Sequence, residues 1–247
     1  MLRQLFPYFD QAPSLEDLYR PATGASGDRK GLWRTNMVTS LNGSVEIDGV
    51  SKRLSSRTDR KVFQLIRAYA DAVLIGSGNA LAEGYTSIPD QTSSMVKLRR
   101  NGKAPLLVVT TRDPDMLLDS PLVSSESQVI IATTESKAAK AQHLAASFQV
   151  TPKLLYCGLD QLDFALVRLE LDKLGLTNVA CEGGPTVLGL LVGAGVIDEV
   201  CLSVAPLLAP SHHGGFLGPN GKFSPGALRL ESIIEDEGTL LSRYRLI

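Results

Sequence analysis

The stretch Asn178-Val-Ala-Cys-Glu-Gly-Gly-Pro-Thr186 is the most informative part of this sequence for the fold. Its apolar first half predicts a buried strand, and the double glycine that follows predicts a sharp turn. A helical run from residue 187 to 194 comes directly after the turn. The segment Ala72-Val-Leu-Ile-Gly-Ser-Gly78 has the same order of apolar strand and glycine turn. Strands that alternate with helices in this way predict a mostly parallel sheet that is covered on both faces.

The remaining pattern extends this arrangement along the chain. Further strands are predicted at residues 32–40, 105–109, 128–132, 153–157 and 199–205. The capping box Ser56-Arg-Thr-Asp59 predicts the start of a helix, and two more helices are predicted at 135–147 and 162–174. In the last of these, Leu162, Leu166 and Leu169 are expected on one side. Residues 227–247 predict a hairpin around Glu237-Gly238.

The fold class that follows is α/β. We predict a mostly parallel, twisted sheet that is flanked by helices and ends in a C-terminal antiparallel hairpin. Residues 1–30 are predicted as an irregular N-terminal segment, with a surface loop at Thr23-Gly-Ala-Ser-Gly-Asp28. Residues 31–247 are predicted as a single domain, because no internal repeat and no interdomain linker interrupts them.

Composition and charge narrow the classes of function. The 247 residues carry a formal net charge of −1, which gives no electrostatic basis for binding nucleic acid or an anionic membrane. No stretch is long and apolar enough to span a bilayer, and the N-terminus lacks the apolar core of a signal peptide. Cys157, Cys181 and Cys201 lie far apart in apolar runs, so they predict buried reduced thiols rather than a zinc site. We expect a cytoplasmic protein with a small-molecule substrate.

Two glycine-rich turns form the candidate ligand site. Gly76-Ser-Gly-Asn79 and Gly183-Gly-Pro-Thr186 both follow predicted strands, and ligands of open α/β sheets bind beyond the carboxyl ends of strands. Glycine lets the backbone approach a phosphate closely, and the helix that follows offers free amides to its charge. Two such turns in one domain fit a dinucleotide, although a lone Gly-x-Gly after a strand is more often only a tight turn.

Carboxylates are the candidate acid–base groups, because the sequence shows no pattern for nucleophilic catalysis. None of the histidines lies near a Gly-x-Ser-x-Gly motif; they are His143, His212 and His213. Glu182 ends an apolar strand, where its carboxylate can accept hydrogen bonds from a ring amide, the alternative being a cap for the next helix. Glu83 and Glu182 are the best placed acid–base candidates. Asp48 and Asp59 are weaker candidates, and Asp59 is assigned to the helix cap.

Five motifs in this order resemble the RibD C-terminal reductase family. They are Ser40-Leu-Asn-Gly43, Ser51 with Ser55-Ser56, the run from Arg67 to Gly78, Glu182-Gly-Gly-Pro-Thr186, and Asp198-Glu-Val-Cys-Leu-Ser-Val-Ala-Pro206. The resemblance covers residues 30–247 and implies a dihydrofolate-reductase-like fold, NADPH as the cofactor and a homodimer. It also implies a reaction that opens the ribosyl group of 5-amino-6-(5-phosphoribosylamino)uracil to a ribityl chain. The zinc deaminase motifs of two-domain RibD proteins are absent, so the sequence resembles the reductase half alone.

The resemblance assigns roles to individual residues. The positions that match cofactor contacts are Ser51, Gly76, Gly78, Asn79, Thr111, Gly183, Gly184, Pro185, Thr186 and Val187. Arg112 is expected to pair with the 2′-phosphate of the cofactor, because of its charge and its position beside Thr111. Arg67 and Glu182 match substrate-binding positions.

Two departures from the family pattern concern the substrate. Asn42 stands where the family usually has the aspartate of Ser-Leu-Asp-Gly, and we place it among the substrate-binding residues. The usual Ala-Asp-Asp-Pro segment is here Ala82-Glu-Gly-Tyr85, which keeps a carboxylate at Glu83 and adds an aromatic wall at Tyr85. An aromatic wall suits a pterin, so reduction of dihydrofolate is one alternative, and a non-catalytic nucleotide sensor is another.

The expected mechanism follows from these assignments. Hydride reaches the anomeric carbon of an open-chain imine at the carboxyl edge of the sheet, between the two glycine turns. Glu182 orients the pyrimidine and Arg67 helps to hold the substrate. Glu83 or a bound water supplies the proton.

Overall fold

A computed structural model of the chain describes residues 2–7, 14–21, 31–88, 93–99, 102–210, 215–218 and 226–247. Its described residues form one sheet of ten strands in the order β1-β9-β10-β8-β2-β7-β3-β4-β5-β6. The strands are β1 (Arg3–Phe6), β2 (Trp33–Ser40), β3 (Ala72–Gly76), β4 (Leu106–Thr110), β5 (Val129–Thr133), β6 (Lys153–Tyr156), β7 (Val179–Gly183), β8 (Glu199–Ala205), β9 (Leu228–Asp236) and β10 (Thr239–Leu246). The α-helices are α1 (Leu15–Tyr19), α2 (Arg57–Tyr69), α3 (Ser77–Ala82), α4 (Ser93–Val96), α5 (Ala138–Ser147), α6 (Phe164–Lys173) and α7 (Pro185–Gly193).

The sheet is parallel over most of its width, as the sequence predicts. Strands β2 to β8 pair in parallel, whereas β9 and β10 form an antiparallel hairpin that joins the sheet through β8. The hairpin turns at Glu237 and Gly238, whose φ angles of 51° and 80° are both positive. Turns of this kind match the twist of the two strands, which confirms the predicted hairpin.

Both faces of the sheet are covered by helices. Along β3, Val73 and Ile75 pack into one core with α2 and α5, while Leu74 packs into a second core with α6 and α7. Side chains alternate between the two faces of a strand, so a strand that is apolar at every position needs cover on both sides. All three cysteines are buried and free, as predicted from their apolar surroundings. None of the helices that the structure describes is long and apolar enough to cross a membrane.

The prediction of an irregular N-terminal segment was wrong for two short elements. Strand β1 pairs with β9 at the edge of the sheet, so the hairpin is not the outermost element. Helix α1 packs Tyr19 into the core at 1% exposure, and the buried guanidinium of Arg34 donates a hydrogen bond to the Tyr19 carbonyl at 2.7 Å. Both elements depend on partners that are distant in sequence, which local periodicity cannot show. The predicted loop at 23–28 lies outside the described residues.

Leu166 and Leu169, which are predicted on one side of α6, do not lie on its packing side. Leu166 and Leu169 are 39% and 48% exposed, while Phe164, Val167 and Leu171 are buried. The helix carries apolar residues on two sides, and the one that begins with phenylalanine packs against the sheet. The capping box of α2 gave the correct helix start, because the Ser56 hydroxyl accepts from the Asp59 amide at 3.1 Å.

Candidate active site

The two glycine turns lie side by side at the carboxyl edge of the sheet. Strands β3 and β7 are neighbours, and Ile75 pairs with Gly183 at the end of both. A Cβ atom built on Gly76 would stand 2.7 Å from Cγ2 of Val187 and 3.8 Å from the carbonyl oxygen of Gly183. The turn after β3 therefore packs directly against the turn and helix that follow β7.

A crevice of about 780 Å³ lies beside these turns. Its walls come from α2, from the segment between β2 and α2, from the end of α3 with the residues after it, and from the start of α7. Ten of the candidate site residues named from the sequence line it: Ser51, Asp59, Arg67, Asn79, Glu83, Tyr85, Glu182, Gly184, Pro185 and Thr186. The crevice thus unites the predicted substrate residues other than Asn42 with part of the predicted cofactor set.

Arg67, Tyr85 and Glu182 form a hydrogen-bonded cluster in the crevice wall. The Arg67 guanidinium donates from Nε and Nη2 to the two carboxylate oxygens of Glu182, at 2.6 and 2.7 Å. The Tyr85 hydroxyl donates to Glu182 Oε2 at 3.1 Å and accepts from Arg67 Nη2 at 2.9 Å. The side chains of Arg67 and Glu182 are 10% and 3% exposed, so this is a buried bidentate pair.

Electrostatics keep this cluster in one protonation state. Burial opposes the charge on Arg67, but hydrogen bonding and attraction to Glu182 outweigh burial and raise the pKa of the guanidinium. Burial, together with the negative charge of Glu182, raises the pKa of the Tyr85 phenol well above its ordinary value. Arg67 therefore stays charged and Tyr85 stays neutral at physiological pH. A neutral tyrosine beside a fixed ion pair can donate or accept a hydrogen bond toward a ligand.

The backbone at the two turns suits a dinucleotide phosphate. Gly76 and Gly184 are the N-cap residues of α3 and α7, and neither provides a side-chain cap for the first amides. A Cβ atom on Gly78 or on Gly184 would meet nothing within 4 Å, so there is open space at these two positions. The start of α7 is partly covered, because a Cβ atom on Gly218 would stand 3.2 Å from the Thr186 nitrogen. Uncapped amides at a helix start bind anions through hydrogen bonds and the helix dipole, and α7 is nine residues long. The donor set therefore fits a pyrophosphate.

Asn42 is one predicted substrate residue that does not line the crevice. Its side chain accepts from the Ser40 hydroxyl at 2.7 Å and from the Ala209 amide at 3.1 Å, and it donates to the Ala209 carbonyl at 2.8 Å. The amide joins the turn after β2 to the segment after β8. The substrate-binding role of Asn42 stays a prediction, and in this structure the side chain ties two segments together outside the crevice lining.

Several predicted cofactor residues lie behind or beside the crevice. Gly76, Gly183 and Val187 pack the two turns together, and Gly78 lies exposed at the start of α3. Thr111 is 2% exposed, and its hydroxyl is engaged by the backbone of Asp113. The prediction that Thr111 contacts the cofactor through its hydroxyl does not fit this geometry, because the side chain shapes the turn after β4.

Arg112 and Asp59 have positions that bear on function. Arg112 is exposed just beyond β4, the strand next to β3. Asp59 lies on the crevice wall with 4% exposure. The assignment of Asp59 to the helix cap was wrong for its side chain. The backbone amide of Asp59 donates to the Ser56 hydroxyl, which makes the cap, whereas the Asp59 carboxylate accepts a hydrogen bond from the Ser55 hydroxyl. An acidic residue at this position of a capping box is common, so the sequence did not distinguish Asp59 from an ordinary helix start.

Comparison with known proteins identifies the family. The family model described as the RibD C-terminal domain matches residues 34–237. The chain belongs to this family. It is 23% identical over 203 residues to the 2,5-diamino-6-ribosylamino-4(3H)-pyrimidinone 5′-phosphate reductase of Archaeoglobus fulgidus, covering 81% of this chain and 87% of the relative. It is 26% identical over 186 residues to the riboflavin biosynthesis protein RibD of Escherichia coli, covering 71% of this chain and 48% of that protein.

Solved structures of other proteins share the fold. A pyrimidine reductase-like protein from Corynebacterium diphtheriae matches with a TM-score of 0.74 at 21% identity, covering 95% of this chain and 99% of that chain. The riboflavin biosynthesis reductase Rib7 of Saccharomyces cerevisiae matches with a TM-score of 0.65 at 15% identity, covering 94% and 97%. The α/β fold predicted from the family resemblance is therefore confirmed.

Proposed function

We propose that this protein is an NADPH-dependent reductase of riboflavin biosynthesis that converts the ribosyl group of 5-amino-6-(5-phosphoribosylamino)uracil to a ribityl chain. The proposal is supported by its RibD C-terminal family and by relatives that carry the name of a ribosylaminopyrimidine phosphate reductase. The observation that carries it is the crevice itself. Two uncapped glycine turns and the Arg67–Glu182–Tyr85 cluster meet around one space of about 780 Å³.

The cofactor end of the crevice is proposed at the two turns. Backbone amides at the start of α7 and in the turn after β3 hold the pyrophosphate, and Gly78 and Gly184 leave room for it. Arg112, exposed beyond β4, pairs with the 2′-phosphate that distinguishes NADPH from NADH. When bound, the reduced nicotinamide supplies hydride to the substrate.

The substrate end is proposed at the Arg67–Glu182–Tyr85 cluster. Both oxygens of Glu182 already accept hydrogen bonds, so Glu182 positions Arg67 and Tyr85 and does not act as an acid. The pyrimidine ring has amide and carbonyl groups that match the Arg67 and Tyr85 polar atoms at this wall. These groups orient the substrate, and orientation alone lowers the barrier of a two-substrate reaction.

Reduction of a pterin is the second candidate. It is favoured by the two aromatic side chains on the crevice wall, Phe63 and Tyr85, which offer apolar surface to a flat bicyclic ring. The two substrates share the chemistry of a C=N bond that gains a hydrogen at carbon and a proton at nitrogen. They differ in the phosphorylated ribosyl chain that the pyrimidine carries.

A direct assay separates these proposals. Purified protein is mixed with NADPH and, in parallel reactions, with 5-amino-6-(5-phosphoribosylamino)uracil or dihydrofolate, and loss of NADPH absorbance is followed. We expect turnover with the pyrimidine, together with a product that is two hydrogens heavier by mass spectrometry. Turnover with dihydrofolate alone would assign the pterin activity. Binding of NADPH without oxidation in either reaction would contradict both enzymatic proposals and favour the nucleotide sensor.

We also propose that the protein acts as a homodimer in the cytoplasm, as the family resemblance implies. Leu41 and Leu208 are 69% and 74% exposed, and their segments are joined by a hydrogen bond of 2.8 Å from the Leu41 amide to the Leu207 carbonyl. Exposed leucines that lie close together are common in protein interfaces. Sedimentation of the purified protein tests the expected dimer.

A further inference from the structure

Asp59 is a buried carboxylic acid in the crevice that the roles above leave unused. It is the third residue of α2 and is 4% exposed. One carboxylate oxygen, Oδ2, accepts a hydrogen bond from the Ser55 hydroxyl. The other, Oδ1, is buried and has no hydrogen-bond partner among the described residues. Buried polar atoms are seldom left without a hydrogen-bond partner. An unpaired oxygen on the wall of a binding site therefore indicates either a hydrogen bond to a ligand or a proton that is transferred to the ligand.

The surroundings of Asp59 favour its protonated form more than water does. Burial is the largest influence and raises the pKa of the carboxyl group, while the Ser203 and Ser55 hydroxyls and the Arg60 guanidinium oppose it. The net result is a pKa above the ordinary 3.8. The other charged side chains that line this crevice are Glu46, Lys52, Arg60, Arg67, Glu83 and Glu182.

The two carboxylates chosen from the sequence suit proton donation less well. Glu182 is held by Arg67 and Tyr85 through both of its oxygens. Glu83 is exposed at the end of α3, where its carboxylate is open to solvent. Asp59 combines burial, a position on the crevice wall and an oxygen, Oδ1, that accepts no hydrogen bond from the described residues, although the Ser203 hydroxyl is near enough to lower the pKa of the carboxyl group. A general acid needs this combination, because it must reach the substrate and keep its proton until the reaction.

We propose that Asp59 is the proton donor of the reduction, delivering its proton from Oδ1 to the nitrogen of the substrate C=N bond. The proposal rests on the reductase function above. The substrate carbon gains a hydrogen as hydride from the reduced nicotinamide dinucleotide, which is oxidised. The π electron pair of the C=N bond becomes the lone pair on nitrogen, and nitrogen takes the proton. The carboxylate that remains is stabilised by Ser55 and Arg60, and solvent protonates it again after the product leaves.

The test compares Asp59→Asn with Asp48→Asn in the full-length protein. Asp48 is a matched control because its side chain is 73% exposed, pairs with Arg53 and does not line the crevice. Three quantities are measured: kcat against pH with NADPH and the ribosylaminopyrimidine phosphate, the Kd of NADPH, and the melting temperature. Carboxyl-carbon NMR of the protein without ligands follows the titration of Asp59 directly.

The expected results are specific to a proton donor. Asp59→Asn lowers kcat by about 100-fold or more at pH values below the pKa of Asp59 and leaves the Kd of NADPH unchanged. The wild-type kcat falls as pH rises through the pKa of Asp59, and the variant lacks this dependence. A raised carboxyl pKa means that ionised Asp59 destabilises the fold, so Asp59→Asn keeps or raises the melting temperature. Asp48→Asn behaves as wild type in every measurement.

The outcomes that overturn the proposal differ from those that overturn the reductase function. Full activity of Asp59→Asn, or the same fall of kcat at high pH in that variant, removes Asp59 from the chemistry while the reductase function stands. An NMR titration of Asp59 at or below 3.8 removes the buried acid on which the proposal depends. A wild-type protein that oxidises no NADPH with either substrate overturns the function and the proton donor together.

Discussion

Replacing Gly76 by alanine tests whether the two glycine turns pack together as described. The backbone of Gly76 is extended, with φ −85° and ψ 155°, so alanine fits its torsion angles. The new Cβ would lie 2.7 Å from Cγ2 of Val187, well inside van der Waals contact. Overpacking of this kind costs about 1–3 kcal/mol. The other two nearby atoms, Cβ of Val187 at 3.7 Å and the carbonyl oxygen of Gly183 at 3.8 Å, are at ordinary contact distances. The cost therefore arises at the Val187 side chain.

The assay is a double-mutant cycle measured by urea unfolding, with the Kd of NADPH determined for each variant. Val187→Ala removes the contacting methyl groups, so the double variant Gly76→Ala/Val187→Ala should lose less stability than the sum of the single variants, by about 1 kcal/mol or more. Gly78→Ala is the control, because its Cβ meets nothing within 4 Å. It should leave stability unchanged or improved and weaken NADPH binding. Additive losses in the cycle would refute the packing of the two turns.

Three further predictions concern charge. Arg112→Gln should raise the Kd of NADPH by about tenfold and leave that of NADH unchanged, in a fluorescence titration; equal loss for both would remove the 2′-phosphate role. Glu182→Gln should lower kcat more than NADPH affinity, because it loosens Arg67; equal losses would contradict its place at the substrate end. Burial would raise the pKa of Glu199, but Arg34 and Arg243 lower it from 4.5 to about 2, which is worth about 3 kcal/mol. In the wild type, this contribution to the free energy of unfolding should be present above pH 4.5 and be lost as pH falls toward 2. The Glu199→Gln variant should be less stable than the wild type at neutral pH. Its free energy of unfolding should not show this loss between pH 4.5 and 2.

The parallel part of the fold was predictable because its strands are continuous apolar runs. Strands such as β3 and β7 are buried along their whole length, so composition alone marks them. Strand β1 was missed because it is four residues long, mostly exposed and held by pairing with β9, more than 200 residues away. The packing side of α6 could not be predicted, because leucines occur on two sides of that helix and only the sheet decides between them.

The candidate site was predictable where position in the chain determines position in space. Glu182 and the glycine turns follow strands, so the sheet brings them to one edge. The Tyr85 hydroxyl contact with Glu182 spans 97 residues and follows from no local pattern. The contacts of Asn42 could not be predicted, because family likeness marks its turn but not the distant Ala209 backbone to which its amide bonds. Asp59 was undervalued because a capping box explains an acidic residue without reference to the crevice.

Amide NMR of the labelled protein during titration with NADP⁺ shows where the dinucleotide binds. We expect the largest shifts at Gly78, Gly184 and Thr186, at the carboxyl ends of β3 and β7, with weaker effects elsewhere. Shifts concentrated at the opposite edge of the sheet, where these strands begin, would contradict a dinucleotide site between the two glycine turns.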